Sequence, residues 1–557
     1  MKKVLIALLA VMIIVAAVGC APAAAPAGDE PAADQPAAEE AAAEGASEEA
    51  TEAGSASLEE VALAYFAEYP GSRIVEWADL FTLIDAGEEP YILSIRKTED
   101  YEAGHIEGAV NMAWGADLAS KFAMLPKDET VYVYCYSGQT AGQAIALMNM
   151  LGIDAVSVKS GFNKGAMTIE GYEDYVSTTA ADVVDAGAEF DGTIQGYVEE
   201  YFNTVGDNGN NIIAAADAMT LIEAGEVTVV DIRKTEDYDA GHIEGAVSLP
   251  FGEGMDFSDL SMDDELIVTC YSGQTAGQTV AVMKALGYNA KSLKSGMKGW
   301  VSGVKATAAN AYFSEYPGSR IVEWADLFAM MDAGDAPLIV SIRSADDYAA
   351  GHITTAVNMP WGPGLAEGVA QLAKGVPVYV YCYSGQTAGQ AVALMNMLGI
   401  EAYSVKSGFN KGAMTVDGYE AYVDTTDNML ADAGETFDSF LLTEVQNYFN
   451  AIPDSGNNIM TVEDVQAAVD AGEVTVVDIR KAEDFAAGHV AGAVSVPFGA
   501  NMQEGFADLP AGKLVVACYS GQTAGQTTAV LRMLGYDAVS MKFGMKLGWT
   551  EAGLPVE

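Results

Sequence analysis

Cys135-Tyr-Ser-Gly-Gln-Thr-Ala-Gly-Gln143 is the stretch that decides the fold, and it occurs four times in the chain without a change. The other three copies begin at Cys270, Cys382 and Cys518. Each copy follows a short apolar run typical of a buried strand, here Val131–Tyr134, and precedes a run long enough for a helix. The pattern therefore predicts a strand, a tight loop and a helix, with one cysteine at the first position of the loop.

The cysteine of each copy occupies a position suited to an anionic sulfur. Backbone N–H groups of the loop and the N-terminus of the following helix point toward it, and such surroundings stabilise a thiolate or an anion bound to it. We expect Gly138 to permit the tight turn. Two interpretations stay open for Ser137 and Thr140, whose hydroxyl groups either contact a bound sulfur species or cap the helix. The alternative for the cysteine itself is an inert, buried thiol at the end of a strand.

Longer repeats show how the four copies are organised. The text from Ala64 to Trp77 returns at 311–324 with one change, and the text from Gly225 to Lys234 returns unchanged at 472–481. A unit of two domains has therefore been duplicated, so that the first copy matches the third and the second matches the fourth. The predicted domains are residues 58–178, 195–304, 305–425 and 441–557.

Short apolar strands alternate with helical segments inside each domain. This alternation predicts an α/β fold, in which a parallel sheet is covered by helices on both faces. Ligands of such sheets bind outside the carboxyl ends of the strands, which is where each cysteine falls.

Acidic residues dominate the composition, and the net charge of -52 argues against nucleic acid or an anionic surface as a partner. Apart from Cys20, each copy contains one cysteine and one histidine. These are too few ligands for a closed zinc site, and we expect no metal and no cofactor. No disulfide can form within a domain, and a disulfide between domains would need two cysteine loops to meet face to face.

The first twenty residues read as an export signal. Lys2 and Lys3 precede an apolar run from Val4 to Val18, which is short for a membrane span, and Gly19-Cys20 follows. This end resembles a bacterial lipoprotein cleavage site, which implies that Cys20 carries a lipid; an ordinary signal peptide is the alternative. Residues 21–57 have almost nothing to bury and are predicted to form a disordered tether. We therefore expect an extracytoplasmic protein anchored by lipid to the bacterial cell membrane.

Three further stretches of the second copy accompany its cysteine loop: Asp231-Ile-Arg233, Glu236-Asp-Tyr-Asp-Ala-Gly-His-Ile-Glu-Gly-Ala-Val247 and Lys294-Ser-Gly-Met-Lys-Gly-Trp300. Together they resemble the rhodanese family, and the resemblance covers nearly everything after residue 58. It implies four tandem domains, each built on a five-stranded parallel sheet, and cysteines that carry a persulfide during sulfur transfer. The implied catalytic residues are Cys135, Cys270, Cys382 and Cys518.

The copies depart from the family pattern to different degrees. Threonine stands where many single-domain rhodaneses have a loop arginine, which is similar to thiosulfate and mercaptopyruvate sulfurtransferases. Ser94 and Ser341 replace the aspartate of Asp-x-Arg in copies one and three, which also lack the closing tryptophan of copies two and four, Trp300 and Trp549. We therefore expect the second and fourth copies to be the active ones.

The predicted substrate contacts are the loop residues after each cysteine and one lysine that follows the last strand of each copy. Lysines are scarce in this chain, so their recurrence suggests a positive rim that holds an anionic donor; solvated loop lysines are the alternative. The predicted contacts are Tyr136, Ser137, Gly138, Gln139, Thr140, Tyr271, Ser272, Gly273, Gln274, Thr275, Tyr383, Ser384, Gly385, Gln386, Thr387, Tyr519, Ser520, Gly521, Gln522, Thr523, Lys159, Lys294, Lys406 and Lys542.

One histidine per copy follows a glycine in a turn, and we expect these histidines to orient backbone by hydrogen bonding. The resemblance also allows a proton relay with the loop serine. The four positions are His105, His242, His352 and His489.

These observations predict a sulfurtransferase that moves sulfane sulfur from thiosulfate, a polysulfide or a persulfide to a thiol or cyanide. The acceptor can also be a protein. The alternative is a non-catalytic sulfur carrier or an interaction scaffold at the cell surface.

Overall fold

The computed structural model describes residues 56–252, 254–315 and 318–557. The predicted signal peptide 1–20, the lipidation site Cys20 and nearly all of the tether 21–57 lie outside these residues and stay predictions. Within the described part of the chain, no helix is both long and apolar enough to cross a membrane.

The first half of the chain forms two five-stranded sheets, one two-stranded sheet and their helices. Its strands are β1 (Ile74–Val75), β2 (Tyr91–Ser94), β3 (His105–Ile106), β4 (Val110–Asn111), β5 (Val131–Tyr134), β6 (Ala155–Val158), β7 (Val176–Ser177), β8 (Ile212–Ile213), β9 (Val227–Asp231), β10 (Val247–Ser248), β11 (Glu265–Thr269) and β12 (Asn289–Leu293). Its helices are α1 (Leu58–Glu68), α2 (Trp77–Asp85), α3 (Thr98–Glu102), α4 (Gln139–Met150), α5 (Gly161–Lys164), α6 (Gly192–Val205), α7 (Ala215–Ala224), α8 (Thr235–Ala240), α9 (Gln274–Ala285) and α10 (Gly296–Glu315).

The second half repeats this order. Its strands are β13 (Ile321–Val322), β14 (Leu338–Ser341), β15 (His352–Ile353), β16 (Val357–Asn358), β17 (Val378–Tyr381), β18 (Ala402–Val405), β19 (Val423–Asp424), β20 (Ile459–Met460), β21 (Val474–Asp478), β22 (Val494–Ser495), β23 (Lys513–Ala517) and β24 (Ala538–Met541). Its helices are α11 (Trp324–Asp332), α12 (Ala345–Ala350), α13 (Pro363–Gly368), α14 (Gln386–Met397), α15 (Gly408–Lys411), α16 (Ser439–Asn450), α17 (Ile452–Ser455), α18 (Val462–Asp470), α19 (Ala482–Ala486) and α20 (Gln522–Met533). Short 3-10 turns connect these elements, and a π-helical turn spans Met545–Trp549.

Four five-stranded sheets share one strand order. The orders are β1-β6-β5-β2-β4, β8-β12-β11-β9-β10, β13-β18-β17-β14-β16 and β20-β24-β23-β21-β22. Neighbouring strands of these sheets are parallel. This architecture confirms the predicted α/β fold, with four tandem sheets.

The alternation of side chains along the central strand explains why helices cover both faces. In the first domain, Val131 and Val133 of β5 pack into the core that holds α4, whereas Tyr134 joins the core on the opposite face. Trp77 of α2 belongs to that opposite core. Because both faces of the strand are buried, the cysteine that follows it emerges at the carboxyl edge of the sheet, between the two helical layers.

The two domains of each pair exchange their leading helices. Phe66 of α1, which precedes the first sheet, packs edge-to-face on Phe251 and Phe257 of the second domain. Phe202 of α6, which precedes the second sheet, packs in the same way on Trp114 and Phe122 of the first domain, and the second pair repeats both contacts. Each domain therefore completes the other's core.

The buried arginine of the Asp-x-Arg copies contacts different partners from the buried arginine of the Ser-x-Arg copies. In the second domain, the guanidinium of Arg233 donates to both carboxylate oxygens of buried Asp231, and the fourth domain repeats this pair. In the first domain, Ser94 offers no carboxylate, and the guanidinium carbon of Arg96 instead lies 4.1 Å from the centre of the Phe162 ring. The substitution therefore replaces an ion pair with an aromatic contact and keeps the arginine buried.

Candidate active site

Each cysteine follows the central strand of its sheet and lies beneath the first turn of the next helix. The glycine three positions later is in the left-handed region, with φ 91° at Gly138 and 89° at Gly273, and this conformation turns its N–H back toward the sulfur. That N–H donates to the cysteine Sγ at 3.0 or 3.1 Å in all four copies. The predicted strand, loop and helix are thus confirmed, and the sulfur faces backbone amides.

Cys270 shows how burial competes with these amides. Ala276 N–H also donates to its Sγ at 3.3 Å, and the N–H groups of Ser272 and Thr275 face the same sulfur. The cysteine is only 3% exposed, and the loss of hydration raises the pKa of its thiol, which the amides offset only in part. The expectation of a stabilised thiolate is therefore wrong for resting Cys270, because desolvation outweighs the amide dipoles.

This shift predicts the pH dependence of thiol alkylation at Cys270. Because a raised pKa keeps the proton on the sulfur, we expect the rate with iodoacetamide to climb with a midpoint above about 8.5, the value of an unperturbed thiol. Residue-resolved mass spectrometry between pH 7 and 10 gives this midpoint, with glutathione as the reference thiol. A midpoint below that of glutathione would contradict the effect of burial.

A cleft of about 470 Å³ opens beside Cys270, and two domains form it. One wall is the cysteine loop of the second domain, where three predicted substrate contacts lie together: Tyr271, Ser272 and Thr275. The other wall comes from the first domain and includes Glu76 and Lys159. The cleft of the second domain is therefore completed by its neighbour, and Lys159 borders Cys270 although the sequence assigned it to the copy of Cys135.

The four predicted rim lysines are exposed, and they fall into two classes. Lys159 pairs with Glu76 at 2.5 Å, and Lys406 pairs with Glu323 in the same way. Lys294 and Lys542 have no ion pair among the described residues. A carboxylate therefore holds the lysine in the first and third domains, whereas those of the second and fourth domains stay unpaired.

The loop hydroxyls do not cap the helix that follows. The residue at the cap position is the loop glycine, and no side chain hydrogen-bonds to the first turn of α4, α9, α14 or α20. The capping alternative for Ser137 and Thr140 is therefore wrong. The serines and threonines of all four loops are half-buried, which leaves their hydroxyls available to a bound sulfur species.

The tyrosine after each cysteine closes the rim of its own domain. Its hydroxyl donates to an aspartate of a short helix that lies earlier in the same domain, for example from Tyr271 to Asp237 of α8 and from Tyr136 to Asp100 of α3. The same hydroxyl accepts a backbone N–H from the loop between a central strand and this short helix. In the second domain this N–H belongs to Lys234, which lies between β9 and α8. Tyr383 and Tyr519 make equivalent contacts, so these tyrosines position the loop and leave only their exposed ring faces to a substrate.

Comparison with known proteins agrees with this geometry. The sequence profile described as rhodanese-like domain matches residues 77–168, 214–303, 323–415 and 461–551. A thiosulfate sulfurtransferase of Pseudomonas entomophila is 35% identical over 92 residues, which are 16% of this chain and 84% of that protein. The chain belongs to the rhodanese-like family.

Two other relatives share only one domain's length with the chain. An HTH-type transcriptional regulator of Mycobacterium tuberculosis is 36% identical over 91 residues, which are 16% of this chain and 40% of the regulator. A putative sulfur carrier protein of Bacillus subtilis is 30% identical over 96 residues, which are 17% of this chain and 46% of the carrier. The chain thus spans less than half the length of these two relatives.

The loop glutamines of the rhodanese-like domains require a correction. Gln274 Nε2 donates to Ser157 Oγ and Val158 O of the neighbouring domain, and its Oε1 accepts the N–H of Ser160. The other three glutamines make equivalent contacts across their pair: Gln139, Gln386 and Gln522. Because both ends of each buried amide are used between domains, these side chains hold the pair together and are not substrate contacts.

The glycines of the same motif belong to this contact as well. A Cβ on Gly138 would lie 2.5 Å from Gln274 Oε1, and one on Gly142 would lie 2.3 Å from the backbone oxygen of Gln274. Gly273 and Gly277 approach Gln139 in the same way, so α4 and α9 meet in a self-complementary contact. The nine-residue repeat therefore joins the cysteine loop to a domain-pairing surface, and Gly138 belongs to both, because its N–H donates to Cys135 Sγ.

The histidine ring of each rhodanese-like domain contacts at least one backbone carbonyl. Nδ1 of His105 contacts the carbonyl oxygen of Tyr101 at 2.7 Å, and its Nε2 contacts that of Thr179 at 3.0 Å. The other three rings contact the carbonyl four residues earlier in the same way: His242, His352 and His489. Among the described hydrogen bonds, none joins a histidine to a loop serine, and the geometry offers the proton relay no support.

Sequence reasoning missed several residues of both domains that line the cleft beside Cys270. Glu76 lies before α2, far along the chain from Cys270, and Phe251 lies in a connection without a motif. Lys234 also borders the cleft. It lies just beyond the carboxyl end of β9, where ligands of parallel sheets bind, and this position could have marked it as a cleft residue.

Proposed function

We propose that the protein is a sulfurtransferase that moves sulfane sulfur from thiosulfate, a polysulfide or a persulfide to a thiol or cyanide. The observation that carries the proposal is the surroundings of Cys270. Its sulfur accepts two backbone N–H groups and borders a cleft lined by lysines of two domains. The likeness to a thiosulfate sulfurtransferase supports thiosulfate as a donor.

The reaction proceeds by two displacements at sulfur. The thiol of Cys270 first releases its proton to solvent. The thiolate then attacks the outer sulfur of thiosulfate, the S–S bond breaks, and its electron pair leaves with sulfite. The resulting persulfide, Cys–S–S⁻, then gives its terminal sulfur to cyanide or to a thiolate, and the electron pair of the S–S bond returns to Sγ. No external oxidant or reductant takes part, since each step exchanges one nucleophile for another.

The site supplies the electrostatics of both steps. Amide N–H groups of Gly273 and Ala276 point to the sulfur and stabilise the negative charge that develops on the persulfide. Lys159 and Lys234 border the cleft and bring positive charge close to the donor anion, and Glu76, which pairs with Lys159, offsets part of that charge. This local charge matters because the net charge of -52 repels anions, although salt screens that repulsion beyond about 10 Å.

The direct test is a product assay combined with a mass spectrum. Full-length protein, purified in mild detergent, is incubated with thiosulfate and cyanide, and sulfite and thiocyanate are measured. The same protein exposed to thiosulfate alone is then digested, and one added sulfur is sought on each cysteine peptide. Turnover with the added sulfur on Cys270 supports the proposal, whereas neither product nor persulfide with any of the three donor classes would end it.

Lys159 gives a prediction for the domain-bridging cleft. The background for this test is a variant in which the other three loop cysteines are replaced with serine, so that Cys270 alone can react. In that background, Lys159→Ala is expected to raise the KM for thiosulfate by roughly 3- to 10-fold with little change in kcat, because one partly exposed charge contact to the donor is lost. Initial rates at varied thiosulfate concentration measure this change.

The second pair supplies the matched control for this variant. Lys406 and Glu323 form the same ion pair there, away from Cys270 in the chain. Lys406→Ala in the same background should leave the KM unchanged. Equal KM values for all three proteins would remove Lys159 from donor binding.

A sulfur carrier without turnover is the second candidate. The burial of all four cysteines, 2–3% exposed, favours a protein that keeps its persulfide until a partner reaches it. The name of the Bacillus subtilis relative points the same way. Persulfides that form on the protein but do not react with cyanide or small thiols would favour this carrier role.

We further propose that the chain works outside the cytoplasm, held to the bacterial membrane by a lipid on Cys20. The support is the sequence of residues 1–20 and the acidic, apolar-poor tether that follows. Labelling of cells with an alkyne fatty acid should mark the wild-type protein and fail to mark Cys20→Ala. Equal labelling of both proteins would refute the lipid anchor.

A further inference from the structure

A cleft of about 450 Å³ lies where α10 leaves the second domain and enters the third. Its walls are mainly apolar and come from both halves of the chain. The second domain and α10 contribute Ile222 and Val304, the segment before α16 contributes Phe437, and the first turn of α16 contributes Phe440. The volume falls within the range of about 300–1,000 Å³ that small-ligand and peptide sites occupy. The cysteine cleft described above shares none of these residues.

Trp300 lines this cleft and carries a buried, unsatisfied donor. The residue is 7% exposed, and its Nε1–H has no hydrogen-bond acceptor among the described residues. A buried indole N–H normally finds an acceptor, because leaving it unpaired costs about 1–3 kcal/mol. The donor therefore points to a ligand that brings an oxygen acceptor.

The fourth domain shows which group satisfies the same tryptophan. Trp549 Nε1–H donates to the carbonyl oxygen of Pro555 at 2.8 Å. The next residues run beside His489, whose N–H and carbonyl oxygen both bond to the backbone of Glu557 at 3.1 and 3.0 Å. A Cβ on Gly488 would lie 3.2 Å from Val556 Cγ2. An extended C-terminal segment thus covers the tryptophan, the glycine and the histidine edge together.

The first and third domains cover the equivalent edge with strands of their own. β3 pairs antiparallel with β7, and β15 pairs antiparallel with β19. The second domain differs because its chain does not turn back: α10 continues straight into the third domain. Among the described residues, no backbone hydrogen bond reaches the N–H of His242 or Glu244.

Phe440 of the second pair covers only part of this open edge. Its ring would lie 3.6 Å from a Cβ on Gly241. In the other three domains, a valine side chain occupies the position of this ring beside the equivalent glycine. Phe440 thus replaces the valine side chain but supplies no carbonyl to Trp300. The remaining space is the cleft itself.

We propose that this cleft, lined by Trp300, His242, Phe437 and Phe440, binds an extended apolar segment of a partner protein. A main-chain carbonyl of that segment accepts the Trp300 Nε1–H, as Pro555 O does for Trp549, and its backbone runs along His242–Glu244. Exposed Glu223 and Glu244 stand at the rim, so the segment is flanked by basic residues.

A second copy of this chain fits less well than a separate partner. Its own C-terminal segment carries acidic residues, Glu551 and Glu557, and is held in the fourth domain by paired backbone hydrogen bonds. Acidic flanks would meet Glu223 and Glu244 at the rim, where like charges repel.

The experiment measures binding of a labelled peptide, Lys-Gly-Leu-Pro-Val-Lys, to the full chain by fluorescence anisotropy. This peptide keeps Gly-Leu-Pro-Val of the segment that covers Trp549, omits Glu551 and has lysines at the positions of Ala552 and Glu557. We expect one peptide per chain, an affinity at least about 5-fold lower for Trp300→Phe, which loses one hydrogen bond, and loss of binding for Ala308→Phe, which fills the cleft. Trp361→Phe, a tryptophan of the third domain, should bind like the wild type.

Several outcomes overturn the proposal. These are the absence of binding, equal affinity of Trp300→Phe and wild type, and tighter binding of the acid-flanked segment 551–557 than of the basic peptide. Self-association that stops when residues 551–557 are removed would also overturn it in favour of exchange between copies. Because the readout is binding, each result is independent of whether the protein transfers sulfur.

Discussion

Replacing both Cys270 and Cys518 with serine is expected to lower thiosulfate–cyanide turnover of the full chain at least 100-fold. The hydroxyl of serine cannot attack sulfane sulfur and hold it as a persulfide, so the covalent route is lost in both domains. We expect these domains to carry turnover because their loops follow the Asp-x-Arg strand end, where Asp231 and Asp478 fix the buried arginine. Thiocyanate formation under saturating thiosulfate measures the loss.

The other two cysteines provide the matched control. Cys135→Ser together with Cys382→Ser removes the same number of thiols, and this variant is expected to keep more than about half of the turnover. Far-UV circular dichroism of both double variants establishes that they are folded. If the first and third cysteines prove to carry turnover instead, the assignment of activity to the second and fourth domains fails, while sulfur transfer itself stands.

Gly142→Leu is expected to destabilise the first pair of domains by about 3 kcal/mol or more, which is at the upper end of the cost of overpacking. The added side chain has no space, because even a Cβ would lie 2.3 Å from the backbone oxygen of Gln274. A backbone atom cannot swing aside as a side-chain end can, so α4 and α9 must separate. Urea unfolding followed by tryptophan fluorescence should show the first pair unfolding at lower denaturant than the second.

Gly196→Ala is the control for this substitution. Gly196 lies inside α6, and a Cβ there would meet nothing within 4 Å. Because alanine is the better helix former, this variant should gain about 0.5–1 kcal/mol. Equal stability of Gly142→Leu and Gly196→Ala would show that the close approach of α4 and α9 is not real.

Much of the fold follows from the sequence, because local pattern and repetition agree at every level. Apolar runs such as Val131–Tyr134 are short, bounded by turns and followed by helical text, so the residues alone place the strand, the loop and the helix. The parallel sheet and its cysteine edge follow from that alternation.

The partner of a buried amide could not be predicted in the same way. Gln139 and Gln274 stand beside the cysteine in every copy, and a repeated polar residue next to a nucleophile fits substrate binding as well as domain pairing. One signal did exist: Gly138 and Gly142 are four residues apart, a spacing that leaves one helix face bare for close approach. This spacing could be interpreted only with the knowledge that the surface packed against Gly138 and Gly142 is the same motif in the neighbouring domain.

The resting state of the thiol was mispredicted for an energetic reason. Counting N–H donors around Cys270 gives the right geometry, and four of them are there. The sequence does not reveal how much water the folded domain removes from the sulfur. This desolvation raises the pKa of the Cys270 thiol by more than the backbone N–H groups lower it.

The exchange of leading helices restricts how such a chain can be shortened or lengthened. A fragment that contains a single copy would lack the phenylalanine that its neighbour's helix supplies and would expose its own, Phe66 or Phe202, to water. Addition of one domain at a time would therefore give poorly folded intermediates, whereas duplication of a complete two-domain unit would not. The order of the four copies, with the odd ones alike and the even ones alike, is the record that such a history leaves.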